Sequence, residues 1–239
     1  MKKITSAGII TLIALVSILF SACKKSTVTD TKNSIAYIYK TDNTDAFAFK
    51  ALMEANNCTV QLIEIADAAL LDYSKYKLIV ADHNTNAVGG ANWTDAHATK
   101  LKASGRPMLL LGMGGLLYAK KIGNIAQWDN CGQFNEKEMY VTDKLSSLYK
   151  KPNIISVSAN ETISLYTVAS LGAAQHIPSA VQPGVALMGA FPGHQAYYPL
   201  SYEKNRYTVF GYYKGVNSMT PAGKDFMVNL VYFSGKFSL

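Results

Sequence analysis

The sequence predicts an α/β fold with a mainly parallel sheet covered on both faces, followed by an antiparallel β excursion in the C-terminal half. Three observations carry the prediction. β-rich runs alternate with helix-compatible runs between Ser34 and Gly123, which implies right-handed crossovers between parallel strands. Two of those runs, YKLIVAD (Tyr76–Asp82) and MLLLG (Met108–Gly112), are apolar almost throughout, as strands buried on both faces must be. After Asn135 the runs shorten and Pro/Gly turns separate them, the pattern of antiparallel pairing.

Taken in order, SIAYIYK (Ser34–Lys40) is the first strand. Asp45–Ala55 then sets Phe47, Ala51, Leu52 and Ala55 on one helical face. CTVQLIEI (Cys58–Ile65) is the second strand, and ADAALLDYSKY a short helix or turn. YKLIVAD is the third strand. A Gly-rich loop leads to a helix from about Trp93 to Ala103, stopped by Ser104-Gly105. Arg106-Pro107 opens the fourth strand, and the chain turns sharply into a helix at Gly114. MYVTD, NIISVSA, TISLYTV, GVALMGAF and RYTVFGYY read as later strands. The last helix has Thr220 as N-cap, Pro221 at its first position, a stripe of Phe226, Leu230 and Phe233, and Gly235 at its end.

The N-terminus stands apart. Lys2 and Lys3 precede IITLIALVSILF (Ile9–Phe20), and Ser21-Ala22 places small residues before Cys23. The apolar run is shorter than the roughly 20 residues of a membrane span and reads as a secretory signal over residues 1–22. It resembles the lipobox of bacterial lipoproteins. The resemblance implies that Cys23 is lipidated and becomes the mature N-terminus, anchoring the protein to a membrane of the bacterial cell envelope. Lys24, in place of an aspartate retention signal, implies the outer membrane, on its periplasmic or surface face. STVTDTKNS cannot bury enough surface to order itself. Residues 23–34 are therefore expected to be the lipidated Cys and a flexible tether, and residues 35–239 a single domain.

Composition excludes some classes. The formal net charge is +7 with 23 basic and 16 acidic residues, and it falls to +5 without Lys2 and Lys3. The basic residues are dispersed in pairs such as Lys120/Lys121 and Lys150/Lys151, whereas a nucleic-acid footprint needs a clustered patch. No nucleic-acid partner is expected. Cys58 and Cys131 remain after lipidation. In an oxidising compartment they either pair or stay as two separate small residues, one opening a strand and one in a loop.

With the elements in place, three segments resemble the class I glutamine amidotransferase-like superfamily, and its ThuA-like branch in particular. They are YKLIVADHNT, GRPMLLLGMGGLLYA and NRYTVFGYYKGVNSMTPAGKDFMVNLVYFSG. The resemblance implies a flavodoxin-like three-layer sandwich with its nucleophile elbow at Gly112–Gly115. Active members carry Gly-x-Cys-x-Gly there. Laid on Gly112, that pattern puts Gly114 in the cysteine's place. Glycine supplies no nucleophile, and the Met113 thioether cannot be deprotonated. Gly112, Met113, Gly114 and Gly115 are then either a tight turn or a backbone cradle for an anion or a carbonyl oxygen.

Asp82, His83 and Asn84 end the third strand, where open parallel sheets bind ligands. They read either as a base or ligand-binding group or as a turn cap with a solvated histidine. His194 lies in a Pro/Gly loop beside Tyr197 and Tyr198, whose rings suit stacking on a sugar. His97 and His176 belong to no metal-ligand spacing and are assigned to structure. No metal or cofactor is expected. The resulting expectation is an exported, lipid-anchored, non-catalytic amidotransferase-like domain. It would bind a glycan or other small polar ligand at the C-terminal edge of its sheet. A metal- or His/Asp-dependent hydrolase at the same cleft and an envelope interaction module are the alternatives, and the sequence leaves the oligomeric state open.

Overall fold

A computed structural model describes residues 33–40, 44–85, 93–123, 131–176, 181 and 183–238. The expected signal segment, Cys23 and all of the expected tether before Asn33 lie outside the described residues, as does the Gly-rich loop before Trp93. The predicted alternation is present. β1 (Ser34–Tyr39), α1 (Thr44–Glu54), β2 (Thr59–Glu64), β3 (Leu78–Ala81), α2 (Asp95–Ala103), β4 (Met108–Leu111) and α3 (Gly112–Ile122) follow one another. Then come β5 (Cys131–Glu136), β6 (Glu138–Val141), β7 (Thr162–Ser164), β8 (Ser170–His176), β9 (Val185–Ala190), β10 (Tyr197–Tyr198), β11 (Leu200–Glu203), β12 (Tyr207–Phe210) and α4 (Pro221–Gly235).

The main sheet runs β2-β1-β3-β4-β12-β11-β9-β6-β7. Its first five strands are parallel, with β12 pairing directly onto β4 from Tyr207↔Met108 to Phe210↔Leu111. The remaining four are antiparallel, and β10-β8-β5 form a separate antiparallel sheet. Successive residues of the buried strands feed opposite faces. Tyr37, Val80, Leu109 and Leu111 join one core with Phe49 of α1 and Phe226 of α4. Ile38, Ile79, Ala81 and Leu110 join the other with Trp93, Leu101 of α2 and Leu116 of α3. Two cores flanking one sheet make the three-layer sandwich.

The helix ends show why these segments stop where they do. Thr94 caps α2 by accepting from the His97 amide, while the Thr94 amide donates to His97 Nδ1. This reciprocal box accounts for His97 structurally. α4 begins as predicted, with the Thr220 hydroxyl accepting from Gly223 at 2.9 Å. Its last residue is Gly235, as predicted, but the left-handed cap is Lys236, at φ 52°. A Cβ on Gly235 would lie 2.3 Å from the Phe237 ring, which packs over it.

The middle of the chain departs further from expectation. NIISVSA forms no strand. It belongs to a loop clamped to α4 by Asn229, whose amide donates to the Leu148 and Asn153 carbonyls at 2.8 Å and accepts from the Asn153 amide at 2.9 Å. Cys131, expected in a loop, opens β5. β8, β10 and β11 lie outside the predicted strand runs. Cys58 is a free, buried thiol, and burial pushes its pKa up to about 11. Asn229→Ala would strand three backbone groups, one buried and two partly buried. It is expected to cost about 3 kcal/mol, read as a fall in melting temperature of roughly 6–12 °C.

Candidate functional site

In the strand order β2-β1-β3-β4 the chain winds outward in opposite directions from β1 and β3, which makes their C-terminal ends the topological switch point. Asp82, His83 and Asn84 follow β3 directly, and Asp45 stands in the first turn of α1 after β1. Asp82 is fully buried. Its Oδ1 accepts from the His83 amide at 2.8 Å and holds His83 Nδ1 at 2.7 Å. The imidazole is thereby oriented with Nε2 toward Asp45, at 3.4 Å from Oδ2. Asn217 donates to Asp45 Oδ1 at 3.1 Å. Gly215 makes room for this carboxylate, since a Cβ there would lie 2.2 Å from Asp45 Cγ.

The second Asp82 oxygen is buried with no hydrogen-bond partner among the described residues. Asp82 borders a cavity of about 10 Å³ shared with Tyr37, His83, Tyr212 and Lys214. That is the size of one water molecule. The Tyr37 hydroxyl is held well above its ordinary pKa, first by burial and then by the charge of Asp82. Burial also raises Tyr212, with Tyr166 adding to the effect.

The turn after β3 is fastened on two sides. The Lys40 amide donates to Asn84 Oδ1 at 3.0 Å, and the Asp82 amide donates to the Ile38 carbonyl at 2.9 Å, tying the turn to β1. On the other side the Gly114 amide donates to the His83 carbonyl at 3.1 Å, and Trp93 Nε1 to the Gly114 carbonyl at 2.9 Å. The left-handed residue of the strand-to-helix turn is Gly112, at φ 50°. A Cβ there would stand 2.6 Å from His83 Cβ. On Gly114 it would stand 2.3 Å from both the Asp82 carbonyl and the Thr85 hydroxyl, and on Gly115 2.4 Å from Leu110. The geometry thus places the elbow's strained backbone at Gly112 rather than Gly114, and neither carries a side chain.

Asp82, His83, Asn84, Gly112 and Gly114 come together. Met113 is half-buried, with the Tyr213 hydroxyl 3.8 Å from its sulfur. His194 belongs to another neighbourhood. It is exposed and stacks on Phe134 at 4.2 Å between centroids. Contacts from there to the cavity run through Phe134, Phe191 and Tyr212. Tyr197 and Tyr198 are half-buried on β10, while Tyr207, Tyr212 and Tyr232 are core residues. Among the described residues no group of three or more His, Cys, Asp or Glu could hold a metal ion.

Sequence reasoning missed Asp45, Tyr37, Lys214 and Asn217. Asp45 was within reach, because the rule that selected the end of β3 applies equally to the helix start after β1. Gly215, Lys214 and Asn217 enter only because β12 lies beside β4, a pairing across almost 100 residues that no local pattern encodes.

No family model and no curated protein matches the chain. Solved structures do. A putative GMP synthase subunit from Thermoplasma acidophilum superposes with TM-score 0.55 at 9% identity, over 86% of this chain and 96% of that one. A chain of PurLQS from Thermotoga maritima gives 0.52 at 10%, over 84% and 99%. The fold is that of the flavodoxin-like, class I glutamine amidotransferases.

Proposed function

We propose that this is an exported, lipid-anchored binding protein whose amidotransferase-like domain takes a small polyhydroxy ligand, a glycan fragment first, at the β1/β3 switch point. One observation carries the reading. Among the described residues, Asp45, His83 and Asn217 stand at this edge in a prepared arrangement backed by the buried Asp82, while the elbow glycines beside them are packed closely on the neighbouring chain. A carboxylate and an amide held 3.1 Å apart offer an acceptor and a donor to neighbouring hydroxyl groups. Lipid attachment at Cys23 and residence at the outer membrane complete the proposal and rest on the lipobox resemblance.

The test is thermal unfolding against a panel of sugars and divalent metals. A ligand at a hundred times its Kd stabilises by about 2.7 kcal/mol, or roughly 5–11 °C for a domain of this size. The shift should vanish in His83→Ala and Asp45→Asn. A panel with no shift removes the glycan class.

One feature favours a second reading. The Asp82–His83 pair has the orienter-and-base geometry of a general-base dyad. Under that reading His83 Nε2 takes a proton from water or a hydroxyl, with no covalent intermediate. Hydrolysis of sugar esters or glycosides that falls at least about 100-fold in His83→Ala would favour it over simple binding.

A further inference from the structure

At the opposite edge of the sheet the molecule presents a different surface. α4 runs back antiparallel to β12, so its last turns lie at the N-terminal ends of the parallel strands. A groove of about 360 Å³ opens there between Ser147, Lys151, Tyr202, Phe233, Lys236 and Phe237. Lys151 and Lys236 are exposed, and so is Lys150. Two large apolar side chains stand out of the loop that forms one wall: Leu145 is 82% exposed and Ile154 86%. The loop runs from the groove along α4 and is tied to the middle of that helix by the Asn229 clamp. Exposed lysines interleaved with outward apolar side chains on a fixed loop match a bilayer interface, where anionic headgroups meet the acyl boundary.

On the lipid-anchor reading, the path of the chain keeps this surface within reach of the membrane. The Asn33 side-chain amide donates to the Asn57 carbonyl, and the Tyr232 hydroxyl to the adjacent Asn56 carbonyl at 2.8 Å. Tyr232 also lines the groove. The start of β1 therefore adjoins the groove. Ten residue steps separate Asn33 from Cys23, and a chain of that length reaches at most about 35 Å.

We propose that the face formed by residues 143–154 and the end of α4 docks on an anionic bilayer, with Lys151 and Lys236 on headgroups and Leu145 and Ile154 at the acyl boundary. The switch-point crevice then faces away from the membrane. This rests on the lipid-anchor reading above.

The test uses the mature protein purified from membranes and reconstituted in phosphatidylcholine vesicles with or without phosphatidylglycerol. An environment-sensitive dye is placed at Ile154→Cys, or at Gln195→Cys beyond the end of β9, in a Cys131→Ser background; Cys58 is buried. Brominated lipid should quench the Ile154 dye in phosphatidylglycerol vesicles and leave the Gln195 dye unchanged. Each lysine contributes roughly fivefold to attraction by an anionic surface, so Lys151→Glu with Lys236→Glu should reduce docking roughly tenfold or more. Vesicle-bound protein with neither dye quenched overturns the docking and leaves the anchor standing. Quenching that ignores lipid charge, or a dye response that follows protein concentration, also overturns it, the latter in favour of a second copy on this face. An N-terminal peptide without lipid mass, in protein that does not float with vesicles, overturns the anchor and the docking with it.

Discussion

Replacing Gly114 by alanine is expected to destabilise the domain by about 3 kcal/mol or more, a fall in melting temperature of roughly 6–12 °C. The added Cβ would meet the Asp82 carbonyl and the Thr85 hydroxyl at 2.3 Å and the Thr85 amide at 2.9 Å. Two of these three atoms are backbone, and that backbone is itself fixed. Thr85 donates its hydroxyl back to the Asp82 carbonyl at 2.7 Å, and the Asp82 amide is bonded to β1. α3 cannot retreat either, because Gly112 and Gly115 bring it equally close to His83 and Leu110. Gly123→Ala is the control. Its φ of 67° is as strained, but nothing lies within 4 Å of the added atom, so only the left-handed penalty of about 1–2 kcal/mol applies. Gly114→Cys should behave like Gly114→Ala and produce no amidase activity, since the thiol would displace the loop that carries His83. A Gly114→Ala protein that melts with the parent would mean that the turn yields easily, and the rigid elbow described above would be wrong.

The same residues show what could be read from the chain and what could not. The parallel half was legible because each of its elements is local. Val80 and Leu109 sit in runs so apolar that only a doubly covered strand accommodates them, and Thr220-Pro221 announces a helix start by capping chemistry alone. The end of β3 was legible as a candidate site because the position follows from topology. The Asp45–His83–Asp82 arrangement was not, because it depends on Asp45 swinging over a glycine at 215 that is far away in sequence. NIISVSA shows the opposite failure. Its β-branched residues satisfy a strand pattern, but Asn153 is held by a buried asparagine 76 residues away, and the Ile155 and Ser158 amides donate to the Tyr149 and Thr162 carbonyls. Strand preference is a weak prior, and here tertiary hydrogen bonding overrides it.

Raising the pH should unfold this domain cooperatively within about one to two units above pH 10. Tyr37, Tyr73, Tyr118, Tyr149, Tyr166 and Tyr212 are each at most 2% exposed. All six have hydroxyls held above their ordinary range, with burial the largest cause in every case. In the unfolded chain they ionise near 10. Above that pH the unfolded state binds fewer protons than the native one, so the tyrosines' contribution is complete below pH 10 and is lost as the pH rises. Each tyrosine removes about 1.4 kcal/mol per pH unit, and six together remove about 8, comparable to the whole stability of an ordinary domain. Cys58, raised to about 11, adds its own loss, beginning near its unfolded pKa of about 8.5. Tyrosinate absorbance and far-ultraviolet circular dichroism should therefore change together in one steep transition, whereas the urea-unfolded chain titrates smoothly near 10. Tyr118 sharpens the test, because its hydroxyl is buried without a hydrogen-bond partner among the described residues. Tyr118→Phe should stabilise at neutral pH by about 1 kcal/mol and move the alkaline midpoint upward. A gradual titration with the helix signal intact would mean that water reaches these rings in the native state, and the two cores would have to be looser than their packing requires.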